Sequence, residues 1–264
     1  TGRVNLVLNG AKEPLPVFKD ATGVDIYYVT GPHPAGNVGV HIHHIDPLNK
    51  GEVVWTVNLQ DVIAIGRLFY EGVYRPERVI ALAGSEVVKS GYYSALAGVS
   101  VEQAIVNNLK TDNVRVISGN VLTGTKIEYD GFLGFYDSQI TVIPEGDYYE
   151  MFGWAKPGFK KYTFSRTFLS ALLPGKSYRL DTNFHGEERP FVMTGNYEKV
   201  VPMDIYPMYL LKAILARDID MMEQLGIYEV AEEDFALCEF ICPSKIGIQS
   251  IIRDGLSLMV KEMS

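Results

Sequence analysis

The apolar positions of this chain form short β-type runs through its first half and helical stripes near its end. Residues 4–8 (VNLVL) and 24–30 (VDIYYVT) are rich in β-branched and aromatic side chains and predict strands. Pro14 and Pro16 between them mark an extended linker. After the second run, Gly31, Pro32, Pro34 and Gly36 fix or free φ one residue at a time, so 31–37 reads as a shaped strand-end loop. Val38, Val40 and Ile42 then alternate with Gly39, His41 and His43. An extended segment would set His41 and His43 on one face about 7 Å apart, with His44 facing the other way. Residues 52–57 predict another strand. Asn58 is placed to cap a helix carrying Asp61 in its first turn, Val62, Ile65 and Phe69 on one face, and Gly72 at its end. Strand, loop, strand and helix in this order imply α/β layering.

From Glu77 the pattern becomes α+β. RVIALAG, GSEVVKSGYYSALAG and NVRVISGNVLTG are β runs broken by glycine, with one helix expected over residues 100–109, capped by Ser100 and packed through Val101, Ala104, Ile105 and Leu109. Tyr92, Tyr93, Tyr129 and Tyr136 suit an interface as readily as a core. Beyond Val142 the chain turns aromatic and basic. Trp154, Phe159, Tyr162, Phe164 and Phe168 lie near Lys156, Lys160, Lys161 and Arg166, which suits a surface meeting lipid headgroups or a membrane subunit, or a long loop packed on its domain. An extended stretch, 174–202, leads to the helices. Asp204 and Pro207 open one whose stripe is Met208, Leu211, Ile214 and Leu215; a second runs over 218–225 and stops at Gly226. EVAEEDFALCEFIC and QSIIRDGLSLMVKE give the last two. Met203, Met208, Met221, Met222 and Met259 read as core filler. Glu187 and Glu188, like Glu232, Glu233 and Asp234, read as solvated faces, the second run opening a helix where its charge is favourable.

Composition narrows the function. With 264 residues, 47% hydrophobic and 21% charged, the chain can bury one core or several. A net charge of −8 with dispersed Lys and Arg argues against nucleic acid. No apolar run reaches membrane-spanning length, YPMYLLKAILA being interrupted by Lys212. The start has no initiator Met or signal-like core and reads as mid-domain sequence, so the chain is expected to be part of a longer protein. Two cysteines, Cys238 and Cys242, suit a reducing compartment. They end in C-P, yet two sulfurs cannot hold a four-thiolate cluster, and two half-buried, inert thiols are expected. No nucleophile elbow, zinc-protease helix or P-loop is present, and GPHPAG has the wrong spacing for a dinucleotide fingerprint.

Candidate chemistry therefore gathers in residues 31–55, which hold four of the five histidines. A metal at His41 and His43 needs a third ligand, and Asp46 is the nearest carboxylate. The other readings are imidazoles bonded to backbone or exposed beside a partner, and a binding surface for another subunit or for an electron-carrying ligand.

GPHPAGNVGVHIHHIDP, KGEVVW, QDVIAIGRLF, ERVIALAG, VRVISGNVLTG and ALCEFICP, in this order and spacing, resemble the A-subunits of the Na+-translocating NADH:quinone oxidoreductases over nearly the whole chain. The resemblance implies a partial Rossmann-like α/β domain at 1–76, a β-grasp, soluble-ligand-binding module at 77–145, an extended aromatic and basic connection at 146–202, and a helical domain at 203–264. It implies a peripheral subunit on the cytoplasmic face of the inner membrane, near the quinone-reducing end of a complex that exports Na+, in contact with membrane subunits. Flavins and iron–sulfur centres are then expected in partner subunits and none on this chain, with quinone the one possible ligand. His33, Gly36, Asn37, His41, His43 and His44 become the expected quinone or partner contacts, with no catalytic residue assigned. The alternative is a non-catalytic assembly and docking module of the same complex.

Overall fold

The computed structural model describes residues 2–173 and 177–263, divided between two compact units, residues 1–56 with 188–264 and residues 57–187. Residues 174–176, which open the predicted extended stretch, lie outside the described residues. The architecture is mixed α/β.

The first unit begins with two strands, β1 (Asn5–Asn9) and β2 (Asp25–Val29), paired in parallel with Asn5 opposite Asp25. A single helical turn, α1 (Pro16–Lys19), lies between them, opened by proline where a missing N–H costs nothing. The expected extension after the loop does not occur. Residues Val38–Ile45 form a helix, α2, which sends Val40 into the core of the helical part of this unit. Tertiary burial here overrides the β propensity of alternating valines and isoleucine. Nor is 52–57 a strand: no described strand pairs with it, and Val53, Val54, Trp55 and Val57 stay exposed. β-forming side chains make a strand only where a partner accepts the backbone groups.

The second unit opens with α3 (Leu59–Glu71), closed by Gly72 in the left-handed conformation. The predicted helix is there, but Asn58 makes no side-chain cap and the stripe of Val62, Ile65 and Phe69 is exposed; no residue of α3 is buried. Polar ties hold it instead. The Gln60 amide donates to Val79 O and accepts from Val79 N–H, at 2.9 and 2.8 Å, and Asp61 pairs with Arg78 at 2.6 Å. The sheet comprises β3 (Glu77–Ala83), β4 (Gly91–Leu96), β5 (Val114–Ser118), β6 (Thr125–Ile127) and β7 (Gln139–Pro144) in the order β4-β3-β7-β5-β6. Only β3 and β7 run parallel; the other pairs are antiparallel. Ile80, Leu82, Val116, Ile140 and Val142 form the core with Val101 and Ile105 of a one-turn helix, α4 (Val101–Ile105). That helix is shorter than expected: Val106 is already extended and Asn107 turns left-handed, so Leu109 bridges to Val87 instead. Gly84 has φ +116, and a Cβ there would meet Val142 O at 2.0 Å, so only glycine fits.

The chain after β7 is fastened to this sheet by two acids, Glu86 buried and Glu145 half-buried. Glu145 takes Arg115 at 2.5 Å and the Thr182 hydroxyl at 2.7 Å; Glu86 takes Arg179 through two 2.7 Å bonds. The first unit then resumes with α5 (Pro207–Ala216), α6 (Ile219–Gln224), α7 (Ala236–Ile241) and α8 (Ile248–Met263). Asp218 caps α6 by accepting from Met221 N–H, and Gly226 turns left-handed after it where the sequence stops the helix, whereas Ser100, like Asn58, makes no side-chain cap. Met208, Leu211, Ile214, Phe235, Ile248 and Ile252 are buried together. Three expectations need correction. Leu215 of the expected stripe and Met221 are exposed, while both cysteines are fully rather than half buried, with Tyr197 donating to Cys242 Sγ at 2.9 Å. Burial pushes the Cys238 thiol and the Tyr197 phenol well above their usual ranges, which leaves both protonated and unreactive. Among the described residues no helix is long and apolar enough to cross a membrane.

Candidate functional site

The loop leaving β2 is built from consecutive turns: Ala35 N–H bonds Pro32 O at 2.9 Å and Asn37 N–H bonds Pro34 O at 2.8 Å, with Gly31 at φ +145 and a cis His33–Pro34 bond. Pro34 is buried, which turns His33 and Gly36 outward. A Cβ at Gly36 would meet nothing within 4 Å, so this corner of the loop is open.

Helix α2 follows at once, and its histidines point three ways rather than along one strand face. His41 Nε2 donates to Ala35 O at 2.8 Å, closing the loop on the helix that follows it. His44 Nε2 donates to Pro202 O at 2.8 Å. His43 Nε2 accepts from Asp204 N–H at 3.0 Å, which requires the proton on Nδ1. That nitrogen lies 2.7 Å from Glu229 Oε2, close but off the hydrogen-bonding direction of the ring. The rings of His43 and His44 meet edge to face at 5.2 Å. Three of the four imidazoles are thus bonded to the chain's own backbone, and His33 alone of this group is free of such a bond among the described residues.

A residue that local sequence reading misplaced completes the arrangement. Asp234 is only 1% exposed, not part of a solvated face. Its carboxylate accepts from Asn37 Nδ2 at 3.2 Å and Ala231 N–H at 3.2 Å, and Asn37 Nδ2 also reaches Glu233 O at 3.1 Å. The group sits against the first turn of α2, where the helix dipole favours a negative charge. A Cβ on Gly39 would lie 1.9 Å from Asp234 Oδ2, which explains a glycine inside this short helix. Burial raises the Asp234 pKa, against the lowering effect of the Ala231 and Asn37 hydrogen bonds and of His41. Nothing in the run EED distinguishes its third member; only the non-local approach of Gly39 does. Glu229 was missed for the same reason.

Among the described residues no group of three or more His, Cys, Asp and Glu is placed to hold a metal. A cavity of about 590 Å³ opens elsewhere in this unit, beside Glu232, Glu233, Arg253, Leu256 and Val260. It includes none of the loop residues, and the 2.5 Å pair of Arg253 with Glu232 lies at its wall.

This is a mixed α/β chain whose histidine loop is structured by its own backbone bonds, the organisation of a shaped protein surface. Residues 2–74 match the family model described as the NqrA second alpha/beta domain, and residues 79–128 the one described as the NQRA C-terminal domain. Proteins named as the A-subunit of Na(+)-translocating NADH-quinone reductase are similar along most of the chain. That of Rhodopirellula baltica is 44% identical over 92% of this chain and 54% of its own length, and that of Hahella chejuensis 45% over 88% and 52%. That of Neisseria meningitidis is 43% identical over 92% and 55%. The chain belongs to the NqrA family, and it spans about half the length of the curated relatives it matches.

Proposed function

We propose that this chain acts as the docking part of a peripheral subunit in a Na+-translocating NADH:quinone reductase, on the cytoplasmic face of the inner membrane at the quinone-reducing end. In this reading residues 1–76 are a partial Rossmann-like layer, 77–145 a β-grasp module, 146–202 a connection and 203–264 a helical domain. Flavins and iron–sulfur centres reside in partner subunits, and this chain supplies contacts rather than electron carriers. The family membership supports the complex, and the open corner of the loop supports the contact. There His33 and Gly36 face outward while Asn37, His41, His43 and His44 hold the corner in place.

The observation that carries the reading is this division of labour among four histidines. An imidazole left free beside a rigid turn can hydrogen-bond a quinone carbonyl oxygen or deliver a proton to its reduced form. The test is His33→Ala in the assembled complex. Quinone reductase activity falls while NADH oxidation by an artificial acceptor is unchanged; unaltered quinone kinetics would remove the ligand role. The bonding of the other three imidazoles favours a second reading, a module that only docks. It predicts that His44→Ala lowers recovery of the chain with its membrane partners and leaves normal turnover in what assembles.

A further inference from the structure

We infer that the segment from Tyr149 to Arg166 is a membrane-surface contact that takes anionic lipid headgroups, presenting aromatic side chains to the bilayer interface beside uncompensated cations. Four features of the second unit place it there. Met151 and Trp154 are each 80% exposed and Phe152 65%, with Tyr149 and Phe159 exposed beside them. Isolated apolar residues on a surface are ordinary, but aromatic and sulfur side chains crowded into one short stretch are not. Phe152 also holds φ +52, ψ +31, a left-handed conformation that is costly for a bulky residue.

The third feature is charge. Between residues 148 and 173 the sequence carries Lys156, Lys160, Lys161 and Arg166 against Glu150 alone, a local excess of cations on a chain whose net charge is −8. Glu150 is occupied by Lys161 and, at 2.9 Å, by Lys156, and these two lysines hold its carboxyl down to about 2. Lys160 and Arg166 are exposed and take part in no ion pair among the described residues. Because fields from exposed charges fade within about 8–10 Å at physiological salt, the patch and not the acidic body decides what approaches.

The fourth is that the segment has a fixed shape. Lys161 Nζ donates to Gly153 O at 2.8 Å and lies over the Phe168 ring, Leu169 N–H bonds Pro157 O at 3.0 Å, and Ser170 Oγ donates to Lys161 O. Gly158, at φ +65, leaves no room for a side chain against Phe168. Lys161 is thus half-buried in the service of the loop while Lys160, its neighbour, stays exposed. Exposed Trp and Tyr at headgroup depth with Lys and Arg against phosphate is the composition of an interfacial anchor. An acidic protein partner would be attracted by the cations but would leave the exposed Met151, Phe152 and Trp154 beside them without a role.

The inference does not depend on the quinone reading, since vesicles contain neither quinone nor partner subunits. The full chain is sedimented with vesicles of phosphatidylcholine alone or with 30% phosphatidylglycerol. Binding is expected with phosphatidylglycerol, to weaken with added salt, and to be slight without it. K160E/R166E, at exposed positions free of ion pairs, lowers the affinity by more than about tenfold, and F152A/W154A by on the order of tenfold. In a W55F background, lipids brominated near the headgroup quench the emission of Trp154. No binding of the unaltered chain at low salt, equal binding by the charge variant, or an unquenched Trp154 would overturn the inference; the last with binding retained would move the contact to another surface.

Discussion

One carboxylate in each unit is withdrawn from solvent, and their surroundings push them in opposite directions. Asp234 of the helical unit and Glu86 of the sheet unit are each 1% exposed. Glu86 is met by the Arg179 guanidinium and by the hydroxyls of Ser85 and Thr111, and this shell pulls its pKa down to about 2. Asp234 is met by neutral donors only, and burial raises it. A compensating cation makes a buried acid a fastener, whereas neutral donors leave it a group that the fold tolerates for the sake of what it touches. Glu86 ties residue 179 back onto the end of β3; Asp234 sets the entry of α2 and, through Asn37, the loop that leads into it.

The largest effect is expected where that contrast is tightest. Gly39→Ala drives a methyl group into Asp234 Oδ2, and neither a helix turn nor a buried acid yields easily, so the substitution should destabilise the chain by about 3 kcal/mol. Urea unfolding measures this. A loss under about 1 kcal/mol would mean that Asp234 is free to swing out and that the entry of α2 is loosely set. On the other side, Glu86→Ala releases Arg179. Because Arg179 is 59% exposed, screening trims the pair, and a loss of about 2 kcal/mol is expected, read by the same measurement.

Acid should separate the two by sign. The folded pKa of Glu86 lies below its ordinary 4.5, so its stabilisation is complete above that value and is lost as pH falls from 4.5 toward about 2. The folded pKa of Asp234 lies above its ordinary 3.8, so its ionised form is a cost that grows as pH rises from 3.8 through the folded value and is relieved by acid. Asp234→Asn should therefore flatten the stability profile above pH 3.8 and change neutral-pH stability by less than about 1 kcal/mol. Glu86→Gln should flatten the limb below 4.5 instead. Identical profiles for the two variants would show that one group, or neither, governs the acid response.

How much of this was readable beforehand depends on range. Helices α5, α6 and α8 and the runs around β3, β5 and β7 follow from local periodicity with a stop at Gly226, and the structure keeps them, while of the run EVAEEDFALCEFIC only residues 236–241 are α-helical. The loop 31–37 was legible through its glycines and prolines. Helix α2 was not: VGVHIHHI alternates like a strand, and what makes it a helix is Val40 entering a core built from residues more than 150 positions away, with Asp234 at its first turn. The run 52–57 failed in the opposite direction, since its composition asks for a strand and pairing is a property of another segment. Burial of Asp234 but not of Glu232 or Glu233 is equally non-local.

The smallest effect discriminates best within the candidate site. His43, its side chain only 9% exposed, lies between Asp204 N–H and Glu229, so His43→Ala removes both the acceptor of that N–H and the packing of the ring and should lower stability by about 1–2 kcal/mol. His33 makes no such bond, and His33→Ala should leave unfolding unchanged within about 0.5 kcal/mol. A stability-neutral His33 variant that alters the assembled complex points to a contact outside the chain, because nothing inside it has been disturbed. A His33 variant as unstable as the His43 variant would place both imidazoles among the structural ties and leave the loop with no free chemistry to offer.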